Sequence, residues 1–209
     1  MEVGRYGGRL QDEILIVADS LVGGNYSDYL NKEEAMVMIF RCKICGEASL
    51  AERKPTHCPF CGAHERWLVD ANDYIEPEVP ELTEISRKNL EFTYDLEINA
   101  AKIYHCIRKK TKDEFILAMF KAISKVEFEH AELVGKLIGR DPGSEIPFVD
   151  KLCTEDRGES LHKTELLEDE AIKHYKKFLE EATEPRVLEI FEALIEVETD
   201  HLELVRKNL

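Results

Sequence analysis

The stretch Val-Glu-Phe-Glu-His-Ala-Glu-Leu-Val at residues 126–134 recurs at residues 197–205 as Val-Glu-Thr-Asp-His-Leu-Glu-Leu-Val. Upstream, residues 96–104 read Leu-Glu-Ile-Asn-Ala-Ala-Lys-Ile-Tyr and residues 167–175 read Leu-Glu-Asp-Glu-Ala-Ile-Lys-His-Tyr. The two segments share the first Leu and Glu, the Ala at the fifth position, the Lys and the final Tyr. The offset between the copies is always 71 residues. A constant offset indicates that two helix pairs are related by an approximate duplication.

The repeated segments have apolar residues at helical spacing. Thr83 is the predicted N-cap of the first helix, Gly139 ends the second, a third spans residues 160–182, and Pro185 lies in the first turn of a fourth. The stretch to about residue 158 lacks periodicity and is longer than a hairpin needs, which favours a crossover connection. The prediction is a four-helix bundle over residues 84–209, preceded by a Pro-rich linker at 76–83.

The Glu and His residues that both copies of the repeat share are of the types that bind metal ions, and they are spaced as metal ligands are. Residues i and i+3 share one face of a helix, so Glu127 with His130, and Glu198 with His201, each direct a carboxylate and an imidazole to one point. Glu97 and Glu168 extend the set to four carboxylates and two imidazoles, as in two-metal bundle sites. Four carboxylates on apolar stripes need a counter-charge, which two divalent cations supply. The alternative is placement of these residues on the surface.

A Glu-x-x-His motif alone is weak evidence, because a chain this rich in Glu contains one by chance. Glu159 and His162 form a third copy that has no repeat partner. Tyr104 and Tyr175 each follow a predicted ligand by seven residues and lie on its face. They are either hydrogen-bond partners of ligand carboxylates or plain core aromatics.

Four of the six cysteines form two Cys-x-x-Cys knuckles in residues 38–75. The pattern predicts a small β unit held together by a metal ion and ending in a strand at Trp67-Leu68-Val69. Two knuckles place four thiolates tetrahedrally around one ion, and both iron and a structural zinc fit this spacing. The predicted ligands are Cys42, Cys45, Cys58 and Cys61. Cys106 and Cys153 are interpreted as ordinary small side chains, either apolar or exposed.

Composition bounds the remaining possibilities. The chain has 209 residues and a formal net charge of -15, which disfavours nucleic acid as a partner. No long apolar run predicts a membrane span, and no secretory signal is visible, so the default expectation is a cytoplasmic protein. Residues 1–37, which include an apolar stretch at 14–17, are a segment of unknown role.

The motifs in residues 38–207 together resemble the rubrerythrins, with the rubredoxin-like unit before the bundle, an order described as reverse rubrerythrin. The resemblance implies a mainly α fold, a ferritin-like four-helix bundle with a small N-terminal rubredoxin-like β metal-binding domain. It implies two irons held in the bundle and one iron, or zinc, at the cysteines. It also implies a homodimer or higher homo-oligomer in which one subunit's rubredoxin-like unit lies near another's bundle.

The activity that the resemblance implies is reduction of hydrogen peroxide at a non-haem diiron site, with electrons passed from the cysteine-bound iron and ultimately from a donor protein. The catalytic residues would be the six predicted bundle ligands, with Glu127 and Glu198 bridging the irons. One departure is Ala171, where rubrerythrins usually carry a further Glu ligand, and Glu170 lies at the wrong angle to replace it. The site is then more symmetric and closer to the ferritin pattern.

The sequence is also compatible with two other functions. One is a ferroxidase or iron-handling protein that oxidises Fe(II) with oxygen or peroxide and has a structural zinc ribbon. The other is a non-catalytic metal-binding or interaction module. Turnover with an electron donor separates this module from both of the others.

Overall fold

Four long helices dominate the part of the chain that the structure describes, residues 37–209 of a computed structural model. They are α1 (Glu84–Lys110), α2 (Glu114–Ile138), α3 (Arg157–Glu181) and α4 (Pro185–Arg206). Helix α1 pairs with α2, and α3 pairs with α4, through links of three residues. The predicted mainly α fold with four helices is confirmed. The segment at residues 1–36, with its apolar stretch at 14–17, lies outside the described residues.

The helix ends follow the local signals in the sequence. Oγ1 of Thr83 accepts a hydrogen bond from the Ser86 amide at 3.2 Å and caps α1. Gly139 adopts a left-handed conformation with φ of 75° directly after α2, a conformation that glycine takes without a steric penalty. Pro185 occupies the first turn of α4, where its missing N–H costs nothing.

The connection between α2 and α3 runs the length of the bundle. It starts beside Tyr94, where Arg140 stacks on the ring at 3.9 Å, and reaches the far end of α1, where Nζ of Lys110 bonds the Asp150 carbonyl at 2.6 Å. The Arg157–Asp113 ion pair of 2.9 Å then holds the start of α3 beside the start of α2. The predicted crossover is confirmed, and it sets α3 antiparallel to α1.

The cysteine unit contains a three-stranded antiparallel sheet of β1 (Met38–Cys42), β2 (Ala48–Ala51) and β3 (Leu68–Asp70), with β1 in the centre. Phe40 pairs with Ser49 on one side and with Asp70 on the other. The strand predicted at Trp67-Leu68-Val69 begins one residue later than expected. Trp67 instead ends a short 3-10 helix, Glu65–Trp67, and its indole donates to Glu196 of α4 at 3.0 Å.

The cysteine unit packs directly on the bundle of the same chain. Gly62 has φ of 73°, and a Cβ built there would lie 2.8 Å from Cγ1 of Val197 on α4. A Cβ at this distance would force Val197 to move, so glycine allows the second knuckle to approach the helix closely. At the first knuckle, Arg186 of α4 donates to the carbonyl oxygens of Lys43, at 2.8 Å, and Ile44.

The interpretation of Cys106 and Cys153 as ordinary small side chains was wrong. Their sulfurs form a disulfide that joins α1 to the crossover connection. The two residues are 47 positions apart and become neighbours only because the connection folds back along the bundle. No helix within residues 37–209 is both long and apolar enough to cross a membrane.

Candidate metal centres

The bundle brings the six predicted ligands together in its interior. Two overlapping groups of four residues have ligand atoms within 4.8 Å of one another. Glu97 belongs to the first group and Glu168 to the second, while Glu127 and Glu198 belong to both. The histidine of the first group is His130 and that of the second is His201. This arrangement matches two adjacent cation positions with the two shared carboxylates between them.

The donor atoms fit metal ions because several have no other partner within residues 37–209. Both carboxylate oxygens of Glu127, Nδ1 of His130 and Oε1 of Glu198 are buried without a hydrogen bond. Nδ1 of His130 lies 3.3 Å from Glu127 and 3.2 Å from Glu198, but it is not aligned to bond either of them. Buried polar atoms without partners are costly, and bound cations would satisfy all of these atoms.

The two tyrosines of the repeat bond ligand carboxylates across the bundle. The hydroxyl of Tyr104, on α1, donates to Glu168 of α3 at 2.6 Å, and the hydroxyl of Tyr175, on α3, donates to Glu97 of α1 at 2.5 Å. Of the two readings left open, hydrogen bonding to a predicted ligand is the one that the structure shows. Each bond orients one carboxylate and leaves its second oxygen for a cation.

Burial and mutual charge shift the titration of the cluster. Burial raises the pKa of Glu97 and Glu168 well above the ordinary value, and the shared carboxylates raise it further. Burial also opposes charge on Glu198, but the adjacent imidazoles of His130 and His201 outweigh it, so the pKa of Glu198 is lowered. Although burial opposes charge on His130 and His201, the surrounding carboxylates raise their pKa well above the ordinary value. Metal ligation needs deprotonated groups and therefore releases protons here.

The third Glu-x-x-His copy does not join this site. Glu159 and His162 are exposed at the start of α3, and the nearest acidic partner of His162 is Glu165 at 3.4 Å. Ala171 is buried, whereas Glu170 points to solvent and bonds Lys173 at 2.7 Å. The bundle therefore has no additional carboxylate at this turn, and its two halves stay symmetric.

The four knuckle cysteines form the second predicted centre. Their side chains are buried and free, and the sulfur atoms of Cys42 and Cys61, like those of Cys45 and Cys58, are 3.7 Å apart. Disulfide sulfurs would be about 2 Å apart. A tetrahedral ion with metal–sulfur bonds of about 2.3 Å separates its sulfurs by about 3.7 Å. The thiols are thus placed for one ion of iron or zinc.

A hydrogen bond joins the two centres. Nε2 of His130 donates to the backbone carbonyl of Cys61 at 2.9 Å. In the neutral form that binds a metal, the imidazole would carry its proton on Nε2, which leaves Nδ1 to face the carboxylates. The sequence carried no signal for this contact. Every residue has a backbone carbonyl, so no residue type marks the acceptor, and the two residues are 69 positions apart.

Sequence reasoning also missed residues that extend the repeat. Leu90 with Leu161, Thr93 with Thr164, and Phe120 with Phe191 keep the same offset of 71, and all six are buried. The hydroxyls of Thr93 and Thr164 each donate to the carbonyl four residues earlier at 2.9 Å. The constant offset was the signal that could have found them. The duplication therefore covers most of each helix around the ligands.

The comparisons with known proteins agree with this geometry. A family model described as Rubrerythrin matches residues 88–209. No curated protein and no solved structure matches the chain significantly. The matched region begins in the first turns of α1 and contains all six buried ligand candidates of the bundle.

Proposed function

The chain belongs to the rubrerythrin family, and we propose that it is a non-haem diiron oxidoreductase that reduces hydrogen peroxide to water. Six residues would hold the two irons, with Glu127 and Glu198 bridging: Glu97, Glu127, His130, Glu168, Glu198 and His201. Bound there, the irons would supply the two electrons that, with two protons, reduce hydrogen peroxide to two water molecules, and an iron at the cysteines would return those electrons one at a time.

The observation that carries the proposal is the bond from His130 to the Cys61 carbonyl at 2.9 Å. This bond links a predicted ligand of one centre to a predicted ligand residue of the other. A path of a few covalent bonds and one hydrogen bond is short enough for electron transfer between the centres. A purely structural ribbon has no need of such a link.

The surrounding residues support the reaction in two further ways. Burial and the adjacent carboxylates raise the pKa of the Tyr104 and Tyr175 hydroxyls, so both keep their protons and continue to orient Glu168 and Glu97. His201 is 7% exposed, while the other five candidate ligands are at most 2% exposed. We therefore propose that a small substrate approaches from the side of His201, and that the close burial of the other five side chains excludes larger molecules.

The test is anaerobic purification followed by metal analysis, a visible spectrum and addition of hydrogen peroxide to the reduced protein. Because the bundle would hold two irons and the cysteines one, we expect about three irons per chain. We also expect a thiolate-iron spectrum and rapid reoxidation of the reduced protein by stoichiometric peroxide. Loss of the reaction in Glu198→Gln, with retention in Glu159→Gln, would assign it to the bundle. Glu159 is a matched control because it belongs to the exposed third copy of the motif.

A second function rests on Ala171. Its small side chain leaves the two halves of the site symmetric, the arrangement expected of an iron-oxidising ferritin-like protein. In that case the cysteines hold structural zinc, the reduced bundle reacts slowly with peroxide, and added Fe(II) is turned over with oxygen or peroxide. Metal analysis of the cysteine site and the two rates distinguish these functions.

The remaining expectations concern partners. We propose that a separate electron-donor protein reduces the cysteine-bound iron and that the chain forms a homodimer or larger homo-oligomer. The structure places the cysteine unit on the bundle of the same chain, so the contact between the centres does not need a second chain. Light scattering coupled to gel filtration measures the oligomeric state.

A further inference from the structure

A third group of metal-ligand side chains lies where the cysteine unit meets α4. His57 and His64 flank the second knuckle and form an isolated antiparallel bridge, which places both imidazoles side by side. Asp200 faces them from α4. One ligand atom of each of the three residues lies within 4.8 Å of the others.

Both imidazoles direct the same nitrogen to one carboxylate oxygen. Nε2 of His64 is 2.7 Å and Nε2 of His57 is 3.3 Å from Oδ2 of Asp200. The two rings are edge-on, with centroids 4.8 Å apart. Neighbouring ligand atoms of one ion with bonds of about 2.0–2.1 Å are about 3 Å apart. The three side chains therefore need only small rotations to surround an ion.

The other ring nitrogen of His57 also has the contact that a ligand histidine needs. Nδ1 of His57 lies 3.0 Å from Oγ1 of Thr56. When Nε2 binds a metal, Nδ1 carries the ring proton and donates it to this hydroxyl. Such a bond fixes the tautomer and the direction of a metal-bound imidazole.

The charge around Asp200 favours a cation. Glu192, Glu196 and Asp200 form an acidic row along α4, and Arg66 pairs with the first two at 3.3 and 2.8 Å. Within residues 37–209, the ion-pair partners of Asp200 are the two histidines alone. Asp200, the last acidic residue of this row, therefore has no lysine or arginine partner among these residues. The protein as a whole has a net charge of -15.

We propose that His57, His64 and Asp200 bind a divalent first-row transition-metal ion that braces the second knuckle against α4. Two imidazoles and one carboxylate select zinc, ferrous iron or cobalt over magnesium and calcium, which prefer oxygen ligands. All three side chains are partly exposed, at 49%, 34% and 45%, so water fills the remaining positions and the ion exchanges with solvent. This site is separate from the two centres described above and does not depend on the proposed function.

Zinc uptake by the holoprotein tests the proposal. Protein with its bundle and cysteine sites filled is dialysed against Zn²⁺, and zinc and iron are counted together. We expect one additional zinc per chain with no loss of iron, and a rise in the melting temperature with zinc concentration. In Asp200→Asn and His57→Ala, zinc binding should be at least about tenfold weaker.

His162→Ala is the matched control, because His162 is another exposed histidine with one acidic neighbour, and this variant should bind zinc like the wild type. Retained iron shows that a variant is folded, and the two ligand variants are independent tests if one of them is not. The proposal is overturned by wild-type protein that takes up no zinc, by zinc uptake that displaces iron, or by variants that bind zinc as the wild type does.

Discussion

At the scale of single residues, the bundle site depends on pairs that cross between the two repeats. Tyr175 of the second repeat orients Glu97 of the first, and Tyr104 orients Glu168 in the same way. A buried phenol needs a hydrogen-bond partner, and a buried carboxylate needs a donor, so each pair satisfies two groups at once. The pairs hold the carboxylates in place before any metal arrives.

The first prediction concerns this orientation. Tyr175→Phe removes the donor to Glu97 and should weaken metal binding in the bundle by about 10- to 100-fold while the protein stays folded. Competition with a chelator measures the affinity, and circular dichroism measures the fold. Tyr94→Phe is the control, because Tyr94, on α1, is also a buried tyrosine but bonds none of the six predicted ligands. Equal affinities in the two variants would show that Tyr175 only fills space.

The second prediction concerns Gly62. A Cβ there clashes with Val197 and also meets the positive φ, so Gly62→Ala should cost about 2–4 kcal/mol from overpacking and backbone strain together. Gly143→Ala is the control, because Gly143 has φ of 89° with open space around it and reports the strain alone, about 1–2 kcal/mol. Urea unfolding of both variants gives the difference. Equal stability of the two variants would show that a Cβ at residue 62 does not clash with Val197 of α4.

At the scale of helices, one carboxylate joins two helix starts that are far apart in sequence. Glu184 precedes α4, and its oxygens accept hydrogen bonds from the Thr83 amide at 2.6 Å and the Ser86 hydroxyl at 2.7 Å at the start of α1. Burial opposes its charge, but these bonds outweigh burial and lower the pKa of Glu184 to about 2. The sequence carried no sign of this role.

The third prediction follows from the lowered pKa. The charged form of Glu184 is favoured by folding, so its stabilising effect is complete above the ordinary pKa of 4.5 and is lost as the pH falls towards about 2. Glu184→Gln should therefore be less stable than the wild type at pH 7, and the difference should shrink between these two values. Urea unfolding across this range measures it. A difference that does not change with pH would contradict the assignment.

At the scale of the whole molecule, the crossover connection is anchored to the bundle by a covalent bond. Cys106 is fully buried in α1, and its disulfide to Cys153 holds the connection at the end where α3 starts. Disulfides are uncommon in a reducing cytoplasm. The cytoplasmic location remains a prediction, and the state of these two cysteines bears on it.

The fourth prediction tests this bond. In unfolded, metal-free, non-reduced protein, four of the six cysteines should react with a thiol reagent, because Cys106 and Cys153 are paired in a disulfide. The double variant Cys106→Ser/Cys153→Ser should lose about 2–4 kcal/mol of stability, since the crosslink limits the unfolded chain. Six reactive thiols in the wild type, or an unchanged free energy of unfolding, would exclude a stabilising disulfide.

The features that could be predicted from the sequence are those that local geometry decides. Helical periodicity, the caps at Thr83 and Gly139, and the spacing of Glu127 to His130 all follow from 3.6 residues per turn. The offset of 71 then implied that the ligands of two helix pairs face each other. The two Cys-x-x-Cys knuckles likewise formed a local pattern that needed no tertiary contact to be recognised.

Only the tertiary structure decided which distant groups meet. The bond between His130 and Cys61, the disulfide of Cys106, and the cluster around Asp200 join residues that are 69, 47 and at least 136 positions apart. Such contacts depend on the direction of the crossover and on how closely Gly62 lets the knuckle approach α4. These are properties of packed surfaces, and no local sequence pattern records how surfaces far apart along the chain are brought together.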